Sequence, residues 1–219
     1  MFKSIFIIYI LLLQIIFANE ITNKDQNKNK NKNINYYKKL SRMGNIDGYF
    51  KLGVIYYKGK EAKKDIDKAY YYFKLASDYN HKKAKYNLAV IYSNKKLKYY
   101  NPKKGYQLFL ELAKQNEPKS QYRVGVALLY GFGVNINYTE ALKWLEISYF
   151  ENRYDRASCA IGFIYANGMG VIQNLGRAKK LTKDLINKYP LCKKVYEDFK
   201  LYKNKYNKDR GFKFGYYRN

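Results

Sequence analysis

The chain has 219 residues, 43 Lys+Arg against 17 Asp+Glu for a net charge of +26, and an aromatic share of 18% that includes 27 tyrosines. A single histidine, His81, and two cysteines, Cys159 and Cys192, exclude a metal centre built from His and Cys, and a dense disulfide scaffold. So basic a balance points to nucleic acid, anionic lipid or an acidic partner. Lys, Asn, Ile, Tyr and Phe all have A/T-rich codons, however, so genome composition accounts for the same excess and the charge by itself names no function.

Residues 1–18 open with Lys3, continue as an apolar run from Ile5 to Phe17 broken only by Gln14, and end on Ala18 before the polar Asn19. This is the pattern of a cleavable secretory leader. About 13 apolar residues span roughly 20 Å, short of the ~30 Å hydrocarbon core, so an uncleaved anchor is the poorer reading. The expected location is the secretory pathway: the ER lumen, the exterior or a periplasm-like space, with the protein soluble after leader removal. The last residues, Gly215 to Asn219, form no ER-retrieval tetrapeptide. Residues 19–33 contain the Asn-Lys alternation from Asn27 to Asn33, which buries nothing, repels itself and reads as a flexible linker.

From residue 34 onward the chain repeats. Leu52-Gly53-Val54-Ile55-Tyr56 returns as Leu88-Ala89-Val90-Ile91-Tyr92, as Val124-Gly125-Val126-Ala127-Leu128 and as Ile161-Gly162-Phe163-Ile164-Tyr165, in steps of 36, 36 and 37 residues. In phase with these, the small residues Ala69, Gly105, Ala141 and Ala178 are each followed three positions later by Tyr72, Leu108, Trp144 and Leu181. The expectation is that each small residue admits a bulky one from a neighbouring helix. Asp65, Asn101, Asn137 and Asn174 stand four residues before the small position as N-caps, with Pro102 at a first helical position and Glu140 placed as a capping-box partner. Gly44, Asn80, Asn116 and Asn152 recur every 36 residues as left-handed closing residues.

Each repeat is therefore two helices. A-helices are predicted near 46–57, 82–93, 118–130, 154–166 and 191–204, and B-helices near 34–42, 66–78, 102–114, 138–150 and 175–187. The connectors Gly131-Phe132-Gly133-Val134 and Gly168-Met169-Gly170-Val171 carry paired glycines for positive φ and a Val to anchor the loop. The first connector keeps only Gly59, and the second, Lys95-Lys96-Leu97-Lys98, has lost both.

These residues resemble the Sel-1-like repeat family, relatives of tetratricopeptide repeats. Ala157, Ile161, Gly162, Tyr165, Gly168, Gly170 and Val171 match the first half of its unit. Asn137, Ala141 and Trp144 match the second half, as do Asp65, Lys68, Ala69 and Tyr72. The match runs from about Asn33 to Tyr202, and the last A-helix is degenerate, with Lys194 and Phe199 at small-residue positions. The resemblance implies an all-α fold, a right-handed α-solenoid of stacked helical hairpins with about four 36-residue repeats and terminal half-units. On this reading the solenoid covers 34–205, and a basic-aromatic tail follows over 206–219.

The resemblance further implies a non-enzymatic scaffold or adaptor for protein–protein interaction. Its lumenal members include the adaptor of an ER-associated degradation ubiquitin ligase, which gives an ER membrane quality-control complex as one expected partner. The alternative is a secreted or exported interaction protein, of a parasite or bacterium, that binds host or envelope proteins. A cysteine-rich bacterial branch resembles β-lactamase-associated proteins; with only two cysteines, this chain does not inherit that activity.

No catalytic, cofactor-binding or metal-binding residue is expected. His81 reads as a helix-start residue that satisfies backbone groups, and the Gly-x-Gly elements are turn glycines. Phe50, Tyr86, Tyr122 and Tyr196 share one register on A-helices and are the candidate protein-binding residues of a concave groove, with inter-helix packing as the competing reading. Tyr56, Tyr92, Tyr165 and Tyr202 read as core. Asn137-Tyr138-Thr139 is a glycosylation sequon that coincides with the expected cap. The equivalent of Cys192 one unit earlier is Asp155, a turn before Cys159, so the thiols can approach. A disulfide and two free cysteines both remain open, with the free pair preferred. The tail fits weak contact with an anionic surface, while the leader argues against nucleic acid as a partner.

Overall fold

The computed structural model describes residues 33–198. The leader 1–18, the linker up to residue 32, the positions Phe199 and Tyr202, and the tail 206–219 lie outside the described residues. Among the described residues there are helices and turns and no strand. The chain divides into two compact units, the first ending at Leu88 and the second beginning at Ala89.

The first unit contains α1 (33–42), α2 (Ile46–Lys58), α3 (Ile66–Asp78) and the start of α4 (Lys82–Ser93). Its core is Leu52, Ile55, Ala69, Phe73, Ala76 and Ala84, all buried. A Cβ built on Gly53 would stand 2.5 Å from the Phe73 ring, so the absent side chain is the seat of that ring. Burying a ring of this size stabilises by about 1.5–3 kcal/mol. Gly48 is likewise tight against Leu40, 2.9 Å from a built Cβ, which seats α1 on α2.

The second unit contains the end of α4, α5 (Pro102–Ala113), α6 (Pro118–Tyr130), α7 (Tyr138–Glu146), a π-helical turn Ile147–Glu151, α8 (Asp155–Asn167), α9 (Leu175–Thr182) with a 3-10 turn Lys183–Leu185, and α10 (190–198). The same notch recurs here. Built Cβ atoms on Gly125 and Gly162 would meet Leu145 at 2.6 Å and Thr182 at 2.7 Å. The residue that enters each notch is thus Phe73, Leu145 or Thr182, four positions after the small Ala, and all three are fully buried. This corrects the expectation for Tyr72, Leu108, Trp144 and Leu181, which are half-buried. The +3 and +4 positions share a helix face, and the crossing of the two helices selects the second.

Helix ends follow the expected punctuation. Side chains of Asp65, Asn101, Asn137 and Asn174 accept from the backbone N–H of Lys68, Lys104, Glu140 and Arg177 at 2.8–3.0 Å. The backbone N–H of each cap donates back to the preceding A-helix, at Tyr56, Tyr92, Leu128 and Tyr165 respectively, over 2.8–3.0 Å. One residue therefore starts the B-helix and clasps the hairpin. The clasp also explains why Glu140 departs from a capping box. The Asn137 N–H is already given to Leu128, so the Glu140 carboxylate meets the Asn137 side-chain amide instead, at 3.5 Å.

Left-handed residues occur at Gly44 (φ 74°), Asn80 (59°) and Asn116 (59°), but then at Arg153 (56°) instead of Asn152, whose φ is −111°. The π-helical turn at 147–151 absorbs one extra residue and moves the closing position by one. That same residue makes the last repeat step 37. The freed Asn152 amide donates to Gln121 at 3.0 Å. The fifth B-helix also ends earlier than expected, at Thr182. The Thr182 hydroxyl donates to the Ala178 carbonyl at 2.9 Å, a back-bond of the kind that bends helices.

Candidate protein-binding site

In the first unit, His81 caps α4. Its Nδ1 accepts from the Ala84 N–H at 3.1 Å, and its Nε2 lies 3.3 Å from an Asp47 carboxylate oxygen. With Nδ1 as acceptor, the neutral ring carries its proton on Nε2, aimed at Asp47. The Phe50 ring stacks on His81 at 4.5 Å and approaches Phe73 at 6.2 Å. Phe50, Tyr37 and His81 border a cavity of about 430 Å³ with Lys51, Lys82 and Lys83 beside it. Tyr86 is half-buried in the same unit.

In the second unit, Tyr122 packs against Tyr154 at 5.5 Å, and Tyr154 is the N-cap residue of α8. Phe50 and Tyr122 thus do the same thing: each rests on the residue that starts the next A-helix. Both rings remain half-buried, as is Tyr196. In α8 the corresponding register position is Cys159, which is buried and joined to Cys192 in a disulfide. The structure therefore replaces the preferred pair of free thiols with a bond that ties α8 to α10. Asp155 adds a surface link from α8 to the turn before α10, accepting from Lys188 at 2.5 Å.

Sequence reasoning passed over one recurring contact. Lys68 lies over the Tyr56 ring at 5.2 Å, Lys104 over Tyr92 at 5.9 Å and Arg177 over Tyr165 at 4.2 Å. Each pairs the third residue after the B-helix cap with the Tyr whose carbonyl the cap clasps. Where the Tyr becomes Leu128, the cation becomes Glu140, so the signal was present in the covariation between repeats. Tyr56 is buried, while Tyr92 and Tyr165 are half-buried under their cations. Asn137, the sequon residue, is exposed and engaged as a cap through its carboxamide oxygen.

A second cavity, of about 500 Å³, lies between the end of α4, the connector after it, α5 and α6. Val90, Phe109, Val126, Ala127 and Phe132 contribute apolar lining, and Lys95, Lys96 and Arg123 supply positive charge. Tyr106 also faces it, and burial pushes its phenol pKa up, with the Glu140 carboxylate acting in the same direction. Among the described residues no cluster of His, Cys, Asp and Glu has metal-site geometry.

The Sel1 repeat model matches at residues 46–81, 82–117, 118–149 and 156–183, more than half of the chain. The chain belongs to the Sel1 repeat family. Sel1 repeats form non-catalytic scaffolds that bind other proteins. No curated protein is significantly similar to this one in sequence. Among solved structures, it is similar to c5321, described as a protective antigen of uropathogenic Escherichia coli strains with an SLR fold, at 24% identity and TM-score 0.68. That likeness covers 77% of this chain and 36% of c5321, so the chain spans about a third of that protein. A Sel1 repeat protein from Oxalobacter formigenes is similar at 23% identity and TM-score 0.61, over 79% of this chain and 74% of that one. At these identities the likeness is one of fold, and it places the four Sel1 units among helical solenoids.

Proposed function

We propose that this chain is a protein-interaction scaffold working in the secretory route, where it holds a partner against the exposed face of its Sel1 hairpins. The run of four Sel1 repeats carries the reading, because stacked helical hairpins supply surface for binding. Two features support the compartment: the leader pattern of residues 1–18, and the pairing of Cys159 with Cys192, since disulfides persist in oxidising compartments. Within that route the first role proposed is a lumenal adaptor in ER quality control. The alternative is an exported module that binds host or envelope proteins. Both use the same chemistry and differ in partner and place.

Proximity labelling in the cell that makes the protein, with the tag after Asn219, separates them. Enrichment of ER ubiquitin-ligase, channel and chaperone proteins supports the adaptor; enrichment of exported, surface or host proteins replaces it with the secreted module. Labelling confined to cytosolic proteins would sink both. The mature N-terminus, read by mass spectrometry, is expected at or near residue 19.

A further inference from the structure

The first two hairpins can be compared position by position, and one ring is missing from the second. In the first, Tyr57 on α2 sits against Phe73 on α3 with ring centroids 6.2 Å apart. Thirty-six residues later the same two positions are Ser93 and Phe109. Phe109 keeps the position of Phe73, and the position of Tyr57 is taken by the small Ser93. Ser93 folds back to donate its hydroxyl to the Ala89 carbonyl at 2.8 Å, and helix α5 closes on it: a Cβ built on Gly105 would lie 2.5 Å from the Ser93 oxygen. Ser93 borders the cavity of about 500 Å³, whose apolar lining includes Val90, Phe109, Val126 and Phe132.

Its charge is as specific as its shape. The third and fourth connectors are Gly-x-Gly-Val, whereas this hairpin closes with Lys95-Lys96-Leu97-Lys98. Lys95 and Lys96 are exposed at the cavity edge. From the opposite side, the Arg123 guanidinium stands 5.9 Å from the Phe109 ring centroid. A largely apolar pocket of this volume with a few charged groups at its mouth is the usual build of a binding site. Here the apolar part borders the position that Tyr57 holds in the first hairpin, and the charged part attracts carboxylates.

We infer that this cavity binds an acidic peptide segment, with an aromatic side chain seated where Tyr57 sits in the first hairpin and flanking carboxylates held by Lys95, Lys96 and Arg123. The inference rests on the scaffold reading above and gives that scaffold a ligand class. A second copy of this chain is a poor occupant, because its net charge of +26 opposes the same cations.

Fluorescence anisotropy with the purified chain tests it, using fluorescein-labelled Asp-Glu-Phe-Asp-Glu and the same peptide with Ala in place of Phe. The Phe peptide is expected to bind about tenfold tighter or more, the usual scale for burying one such ring. Ser93→Tyr puts a ring at the cavity and should erase the difference between the two peptides. Helix α5 packs close on Ser93 at Gly105, so native helicity and melting temperature of this variant are confirmed first. Lys95→Glu with Lys96→Glu changes only exposed residues and should weaken both peptides. Equal affinities for the Phe and Ala peptides overturn the inference. So does an unchanged preference in a Ser93→Tyr protein with native helicity, or unchanged affinity in the double lysine variant. Self-association abolished by Ser93→Tyr would assign the cavity to a second copy instead. Proximity labelling that is the same for Ser93→Tyr and the natural chain would remove the cavity from partner binding and leave the scaffold reading standing.

Discussion

At Gly125 a single hydrogen atom sets the helix spacing. A methyl group there would stand 2.6 Å from the Leu145 side chain and 3.1 Å from the Ala141 carbonyl, and both neighbours belong to a fully buried seam. Gly125→Ala is therefore expected to destabilise by about 1–3 kcal/mol, the range for overpacked cores, measured by urea unfolding. Asp65 makes a different prediction. Its carboxyl pKa is held below the ordinary value first by the Lys68 backbone N–H and then by the Lys68 side chain. A folded-state pKa below the unfolded one means a contribution that is present above the unfolded pKa and lost as pH falls through the folded one. Asp65→Asn keeps an acceptor for the cap without the titration. Its melting temperature should match the natural protein's more closely below about pH 4 than at pH 7; an equal gap at both pH values would refute this. Asp65 was legible in the sequence as a cap; Gly125 was legible only as a recurring small residue, and neither its role as a notch nor the residue that fills it was. Residues three and four positions on are both available, and the crossing of the helices chooses.

Among whole elements, the π-helical turn 147–151 shows how a 37-residue step fits a 36-residue architecture. The extra residue is held as a local bulge in one B-helix, which therefore closes at Arg153 before the next A-helix begins. The sequence contained the extra residue, yet its position needed the backbone. The last element is fixed by a covalent tie: Cys159 and Cys192 are both buried and join α8 to α10 across a separation of 33 residues. Replacing both with Ser should cost roughly 4 kcal/mol on the loop-closure scale. Amide exchange should quicken most in residues 190–198, which that bond anchors. Equal protection of α10 in the natural protein and the double variant would show that packing alone holds it.

For the molecule as a whole, the question is whether +26 acts or only accumulates. Screening shortens the reach of exposed charge from about 10 Å at 0.1 M salt to about 3 Å at 1 M. Affinity for an acidic partner should therefore fall steeply with salt if charge acts, and the fall should be shallower after Lys95→Glu with Lys96→Glu. A partner held equally well at both salt concentrations would make shape the whole of recognition and leave the charge to genome composition.

The sequence by itself determined the repeat, its two helices, the caps of the B-helices and the family, because these depend on residues within one or two turns of each other and each is written four times. Tertiary structure alone decided three things: that Phe73, Leu145 and Thr182 enter the notches, that Cys159 meets Cys192, and that Ser93 borders an open cavity. Each depends on the separation and crossing of helices that are distant in sequence. A difference of one position along a helix, about 100° around its axis, turns a side chain from a seam to the surface.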